Sequence, residues 1–211
     1  MVRVGVLAAA AVLALGGCGT VSPLSHQVAS DLPQRIDPLP QGTPSAAPAG
    51  FVAFCTNDPD QCEPGAVSYA VLTLEPSAWR LLSDVNGSVN ASVRSESDER
   101  HYGRPEVWTI ALDGFGDCED FALTKRKMLI DAGLPEPALR LAAVVTLEGE
   151  QHLVLTVATN RGDFVLDNLT NDILPWNRTG YAWLARQDAR GRLGWVSFNG
   201  RKPDVTTLST R

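Results

Sequence analysis

The chain has 211 residues, a formal net charge of −6 and 44% hydrophobic residues, room for one domain with a real core. The acidic balance excludes a general nucleic-acid binder, which needs a basic stripe to meet phosphates. Beyond the N-terminus, no stretch approaches the roughly 20 apolar residues that cross a bilayer.

The N-terminus "MVRVGVLAAAAVLALGGCGT" has one Arg, an apolar run from Val4 to Leu15, then Gly-Gly-Cys. A short positive region, an apolar core and small residues are the layout of an export signal. Leu15-Gly16-Gly17-Cys18 also resembles a bacterial lipoprotein box. Residues 1–18 are therefore expected to be a signal peptide, with Cys18 lipidated as the new N-terminus; an ordinary secretory signal is the alternative. Both put the mature protein outside the cytoplasm. It is expected on the periplasmic side of the envelope, lipid-anchored, or else soluble in the periplasm or secreted.

Residues 19–50 carry six prolines (Pro23, Pro33, Pro38, Pro40, Pro44 and Pro48) and few large apolar side chains. Such a segment buries too little surface to offset its ordering entropy, and it reads as a tether. The folded domain is expected over 51–200, with 201–211 a loose tail. Next, "FCTNDPDQCEPG" holds Cys55 and Cys62 around the turn residues Asn57-Asp58-Pro59-Asp60. In an oxidising compartment this predicts a short-loop disulfide. With Cys18 taken by lipid, Cys118 is left unpaired, which marks it for attention. A buried structural thiol is the bland alternative, although Gly116, Asp117, Glu119 and Asp120 are not an apolar setting.

In "TLEPSAWRLLSDVNGSVNASV" (73–93), Leu81, Val85, Val89 and Val93 recur every four residues with Leu82 beside them, predicting an amphipathic helix. Thr73 or Ser77 would lie near its cap, and Pro76 is tolerated in the first turn. "SESDERHYGRPE" reads as a polar loop; His101 there, like His26 in the tether, is expected to be solvated. A second helix is predicted from Asp117. Phe121, Ala122, Leu123, Met128 and Leu129 form its apolar stripe, Lys125-Arg126-Lys127 its basic half and Gly133 its stop. Acids in its first turn suit the helix dipole, with Asp117 as cap. The same dipole is expected to lower the pKa of Cys118.

After Pro137 the period falls to two. "LRLAAVVTLE", "QHLVLTVAT", "DFVLDNL" and "GWVSF" predict strands at 139–148, 151–159, 163–169 and 194–198. Helices followed by an antiparallel sheet make an α+β class. A two-residue hairpin loop at Asn160-Arg161 sets position 152 opposite 169 and 154 opposite 167. His152 and Asp167 then project from one face as diagonal neighbours. An acid holding an imidazole, with a thiol at a helix N-terminus, is the arrangement that activates a sulfur nucleophile. Asp117, Glu119 and Asp120 also offer the hard oxygen ligands calcium prefers; caps and surface charges are the alternative.

"GDCEDFALTKRKMLIDAGLP" followed by "HLVLTVATNRGDFVLDNL" resembles the bacterial transglutaminase-like cysteine peptidases, relatives of the periplasmic adhesin-releasing proteases. "FCTNDPDQC", "LEPSAWRLLSDVNGSVN", "YGRPEVW" and a later Pro175-Trp176…Tyr181 fit too, so the likeness spans roughly 51–185. It implies a papain/transglutaminase-like fold with Cys118 as nucleophile, His152 as general base and Asp167 as its orienter. It also implies calcium at Asp117, Glu119 and Asp120, a protein substrate in the envelope and a regulatory inner-membrane protein as partner. Trp108 matches a tryptophan ahead of the cysteine motif and is a candidate wall of the active site, with core packing the alternative. Two features depart from the family: "TIALDGFG" lacks an expected proline, and a lipobox with a long tether is not general there. The expected function is an exported cysteine endopeptidase. The alternatives are a transglutaminase or other acyltransferase with an amine acceptor, and a non-catalytic calcium-dependent binding module.

Overall fold

The computed structural model describes residues 32–62, 70–188 and 193–198, together with Met1. Residues 2–31, with Cys18 and most of the expected signal peptide, and the expected tail 201–211 lie outside the described residues. Within 32–198 the helices are α1 (Ala49–Asn57), α2 (Pro76–Ser92), α3 (Asp98–Tyr102) and α4 (Cys118–Asp131). The strands are β1 (Thr43–Ser45), β2 (Arg94–Ser95), β3 (Phe115–Gly116), β4 (Leu139–Val145), β5 (Gln151–Thr159), β6 (Gly162–Leu166), β7 (Leu174–Pro175), β8 (Ala182–Gln187) and β9 (Trp195–Ser197). Seven strands form one antiparallel sheet in the order β1-β9-β8-β4-β5-β6-β7, and β2 and β3 make a small parallel pair. The α+β expectation holds.

Alternation along the central strands builds two cores. Leu139, Leu141 and Ala143 of β4, with Leu153, Leu155 and Val157 of β5, meet the helices through Phe51, Phe54, Leu82, Val85, Val89, Phe121 and Leu129. Ala142, Val144, Val154 and Val165 line the second face with Trp183 and Leu39. The hairpin register is as the loop length predicts. Leu155 pairs with Leu166 and Thr156 with Val165, without a bulge. Gly162 makes the turn possible, at φ +105 and with a Cβ there landing 2.4 Å from Ile36 Cγ1.

Residues 32–50 are not a tether, and the boundary at residue 51 is corrected. The Ile36 N–H donates to Arg161 O (2.9 Å) and the Leu39 N–H to Asp163 Oδ2 (2.8 Å). Leu39 is buried in the second core, and β1 pairs with β9. Pro38, Pro40 and Pro44 have no N–H to offer. That lack suits an extended strap and an edge strand rather than a helix or a central strand.

Other local readings change too. The cap of α2 is Glu75, with no side-chain capping bond, rather than Thr73 or Ser77. The loop at 95–106 contains α3. Met128 is exposed, while Lys125 and Arg126 are buried. Arg126 is accommodated by Glu136 (2.6 Å) and the Leu139 carbonyl; burial lowers Lys125 to a pKa of about 7. Strand β8 escapes a period-two reading because its Arg186 and Gln187 are buried polar residues. Arg186 pairs with Asp163 (3.1 Å), and Gln187 Oε1 accepts the Leu141 N–H (2.8 Å). Cys55 and Cys62 are disulfide-bonded, with Cα atoms 5.4 Å apart.

Candidate active site

Helix α4 starts at Cys118 because Asp117 takes extended backbone at the N-cap and its carbonyl accepts the Phe121 N–H (3.1 Å). The Asp117 side chain does not cap. Gly116 is needed just ahead, since a Cβ there would lie 2.6 Å from Asp120 Cβ. Cys118 is buried and free of any disulfide. The N–H of Leu153, the residue after His152, points at its sulfur, so the helix tip meets the start of β5.

On the sheet, His152 Nε2 lies 2.8 Å from Asp167 Oδ1, as the register arithmetic requires. Asp167 Oδ1 also accepts the Leu169 N–H (3.0 Å), and the Tyr181 hydroxyl donates to Oδ2 at 2.6 Å. Burial alone would raise the Asp167 carboxyl. The hydrogen bond and charge of His152, followed by Tyr181 and Leu169, outweigh it and hold the group below the usual carboxylate range. From α2, Asn90 Nδ2 donates to Asp167 O (2.9 Å) and Thr170 O (3.1 Å), while the buried Asn86 donates to Thr170 O (3.2 Å) and Asn171 O (3.1 Å). Tyr181, Asn86 and Asn90 carry no local signal of these roles. Asn86 and Asn90 join the site from a helix distant in sequence, and Tyr181 from the turn ahead of β8.

The acids flanking the thiol are interior groups. Asp98, Asp117 and Glu119 are all buried, each offering a ligand oxygen within 4.8 Å of the others. Burial raises Asp98 to about 6 and, with the Asp117 charge, pushes Glu119 well above the usual carboxylate range. Asp120 stands outside this group. Its Oδ1 accepts the Thr109 N–H (2.8 Å), and burial raises its pKa to about 9. Asp98 was not legible as a partner, although Ser97-Asp98-Glu99 is a recognisable helix start. Its Oδ2 accepts the Val107 N–H, and Oδ1 has no hydrogen-bond partner among the described residues.

The expectation of a lowered Cys118 pKa is overturned for the metal-free chain. Burial raises it first, then the charges of Glu119 and Asp117, and the thiol donates to Glu119 Oε2 (3.1 Å). Burial and the two acids beside the thiol outweigh the half-charge of a helix end. Trp108 is a core residue. Its ring stands 6.1 Å from Phe51 edge-on, a Cβ on Gly50 would strike its Nε1 at 2.3 Å, and that N–H donates to Glu106 (3.0 Å). His101 is not a solvated bystander either. It stacks on Tyr102 at 4.0 Å, meets Phe115 at 5.5 Å and binds Asp113 at 3.0 Å.

The family model described as bacterial transglutaminase-like cysteine proteinase (BTLCP) matches residues 41–203. The chain belongs to this family. Membership makes it a cysteine peptidase and agrees with a match that opens at β1 rather than at Phe51. Among solved structures, it is similar to calcium-bound LapG of Legionella pneumophila, at 23% identity and TM-score 0.50 over 75% of this chain and 83% of that one. EGTA-treated LapG of the same organism matches at 23% and 0.50, over 72% and 78%. These likenesses speak for the fold. No curated protein matches significantly.

Proposed function

We propose that this BTLCP member is an exported endopeptidase acting on a protein of the cell envelope through Cys118, His152 and Asp167. The observation that carries the reading is the 2.8 Å His152–Asp167 hydrogen bond on the strand whose next N–H, that of Leu153, meets the Cys118 sulfur. In this mechanism His152 takes the Cys118 proton and the thiolate attacks the peptide carbonyl. His152 then returns the proton to the leaving amine, and water releases the acyl-enzyme. Asp167 keeps the ring oriented and stabilises its charged form. N–H groups in the first turn of α4, that of Cys118 among them, are suited to the oxyanion.

Calcium fits the acid cluster of Asp98, Asp117 and Glu119. Hard oxygens are its preferred ligands, and three buried carboxylates this close repel one another unless protons or a cation intervene. A bound divalent cation would neutralise the negative charge that now raises the thiol. The disulfide supports an oxidising compartment. The lipoprotein-type N-terminus supports a lipid anchor at Cys18 on the periplasmic side, and a regulatory membrane partner is in keeping with that site.

The test incubates wild type and Cys118→Ala with an envelope-protein extract, in calcium or in EGTA, and maps new peptide ends by mass spectrometry. New N-termini that depend on Cys118 and calcium are expected. Isopeptide cross-links without new ends would replace the peptidase step by acyl transfer to an amine, and cleavage by Cys118→Ala would end the assignment.

A further inference from the structure

We propose that Tyr181 is a positioning residue for the catalytic pair, its hydroxyl holding Asp167 Oδ2 and its ring walling His152 from solvent. The hydroxyl donates at 2.6 Å, and the ring stands edge-on to the imidazole with centroids 6.2 Å apart. The proposal rests on the Cys118-His152-Asp167 reading. A carboxylate held through one oxygen can rotate about its own axis and present the other oxygen to the ring. Here Oδ1 serves His152 and the Leu169 N–H, so Tyr181 is the side-chain donor on the second oxygen. Donors on both oxygens leave the carboxylate one orientation.

The turn ahead of β8 sets Tyr181 in place. Its N–H donates to Thr179 Oγ1 (3.2 Å), whose own hydroxyl donates to Trp176 O (3.0 Å). Trp176 Nε1 is anchored on Asp37 O (2.8 Å), so the strap of residues 32–42 buttresses this turn. Gly180 is at φ +74 with Leu147 against it; a Cβ would come within 2.9 Å of Leu147 Cδ2. A half-buried ring with its hydroxyl on a buried acid is costly to arrange for packing alone, since Phe would fill the same space. Keeping water from the pair also strengthens its hydrogen bond.

Asp167 faces His152 of β5, Lys125 of α4, the Leu169 N–H and Tyr181, and Glu148 of the β4–β5 turn acts on Tyr181. The experiment follows the Asp167 carboxyl by carbon NMR against pH, assigned with Asp167→Asn. It also follows exchange of the far-downfield proton of the His152–Asp167 hydrogen bond, in wild type, Tyr181→Phe and Tyr181→Leu. Both variants should titrate Asp167 at higher pH and exchange that proton about fivefold faster or more, the loss of one hydrogen bond. Wild-type behaviour in Tyr181→Phe would overturn the proposal, as would a defect confined to Tyr181→Leu, which would leave the ring a packing role only. If wild type lacks the proton and His152→Ala alkylates Cys118 with iodoacetamide at the wild-type rate, the triad reading itself fails, and this proposal with it.

Discussion

Replacing Asn90 by Ala tests whether α2 holds the loop that carries Asp167. The Asn90 Nδ2 lies 2.9 Å from Asp167 O, 3.1 Å from Thr170 O and 2.9 Å from Asn171 Oδ1. An amide group has two protons, so about two full hydrogen bonds disappear with the side chain. At roughly 1 kcal/mol net each, with a further penalty for part-buried carbonyls left unpaired, the loss is about 2–3 kcal/mol. For a domain of this size that lowers Tm by about 5–10 °C. Asn86 donates to the same Thr170 O, so either single variant leaves that carbonyl one donor and the double variant leaves it none from these two. The double variant is therefore expected to lose more than the sum, by about 0.5 kcal/mol or more. Differential scanning fluorimetry gives the stabilities, and iodoacetamide alkylation of Cys118 at 25 °C gives the site's competence. Asn90→Ala should also slow alkylation, because Asp167 loses a main-chain anchor. An Asn90→Ala protein that melts within a degree of wild type and alkylates at its rate would refute the clamp.

Asp167→Asn should cut release of peptides from envelope-protein extracts by about 10³-fold or more, since an amide favours the wrong imidazole tautomer. The folded Asp167 carboxyl lies below its unfolded value of about 3.9. Its stabilising contribution is therefore complete above that pH and lost as pH falls through the folded value. Urea unfolding from pH 3 to 7 should accordingly show a shallower acid limb in Asp167→Asn, and an unchanged limb counts against the pair. Asp98 at about 6 and Asp120 at about 9 are shifted the other way, so the cation-free fold binds more protons than the unfolded chain. Its stability should fall as pH rises from about 4 to 9 in EGTA. Millimolar calcium should flatten that slope, and a flat profile in EGTA would contradict the buried-acid account. Compared with deletion of residues 1–31, deletion of 1–50 also exposes the face under Leu39 and removes β1. The longer deletion should cost at least about 3 kcal/mol; equal melting of the two proteins would restore the tether reading.

The hairpin and the His152–Asp167 pair were legible because both depend on short-range arithmetic. Two turn residues at Asn160-Arg161 impose one register, and strand parity puts His152 and Asp167 on one face. The disulfide, between residues seven positions apart across a turn, is of the same kind. By contrast, composition made a tether of residues 32–50, since prolines and small residues bury little alone. The sheet supplied the missing partners, with Ser197 opposite Thr43 and Asp163 under Leu39. Buried Lys125 and Arg126 and the polar strand β8 were hidden for a related reason. Arg126, Arg186 and Gln187 are accommodated by residues that sequence spacing does not bring near.

The sequence by itself determined the class of fold and the pairing of His152 with Asp167, since both follow from residue type and strand spacing. Only the tertiary structure decided that Asp98 replaces Asp120 in the acid cluster, that Trp108 belongs to the core, and that Tyr181, Asn86 and Asn90 surround Asp167. It also decided the sign of the Cys118 shift. Asp117 and Glu119 are sequence neighbours of the thiol, but burial, the largest contribution, is a sum over everything nearby in space.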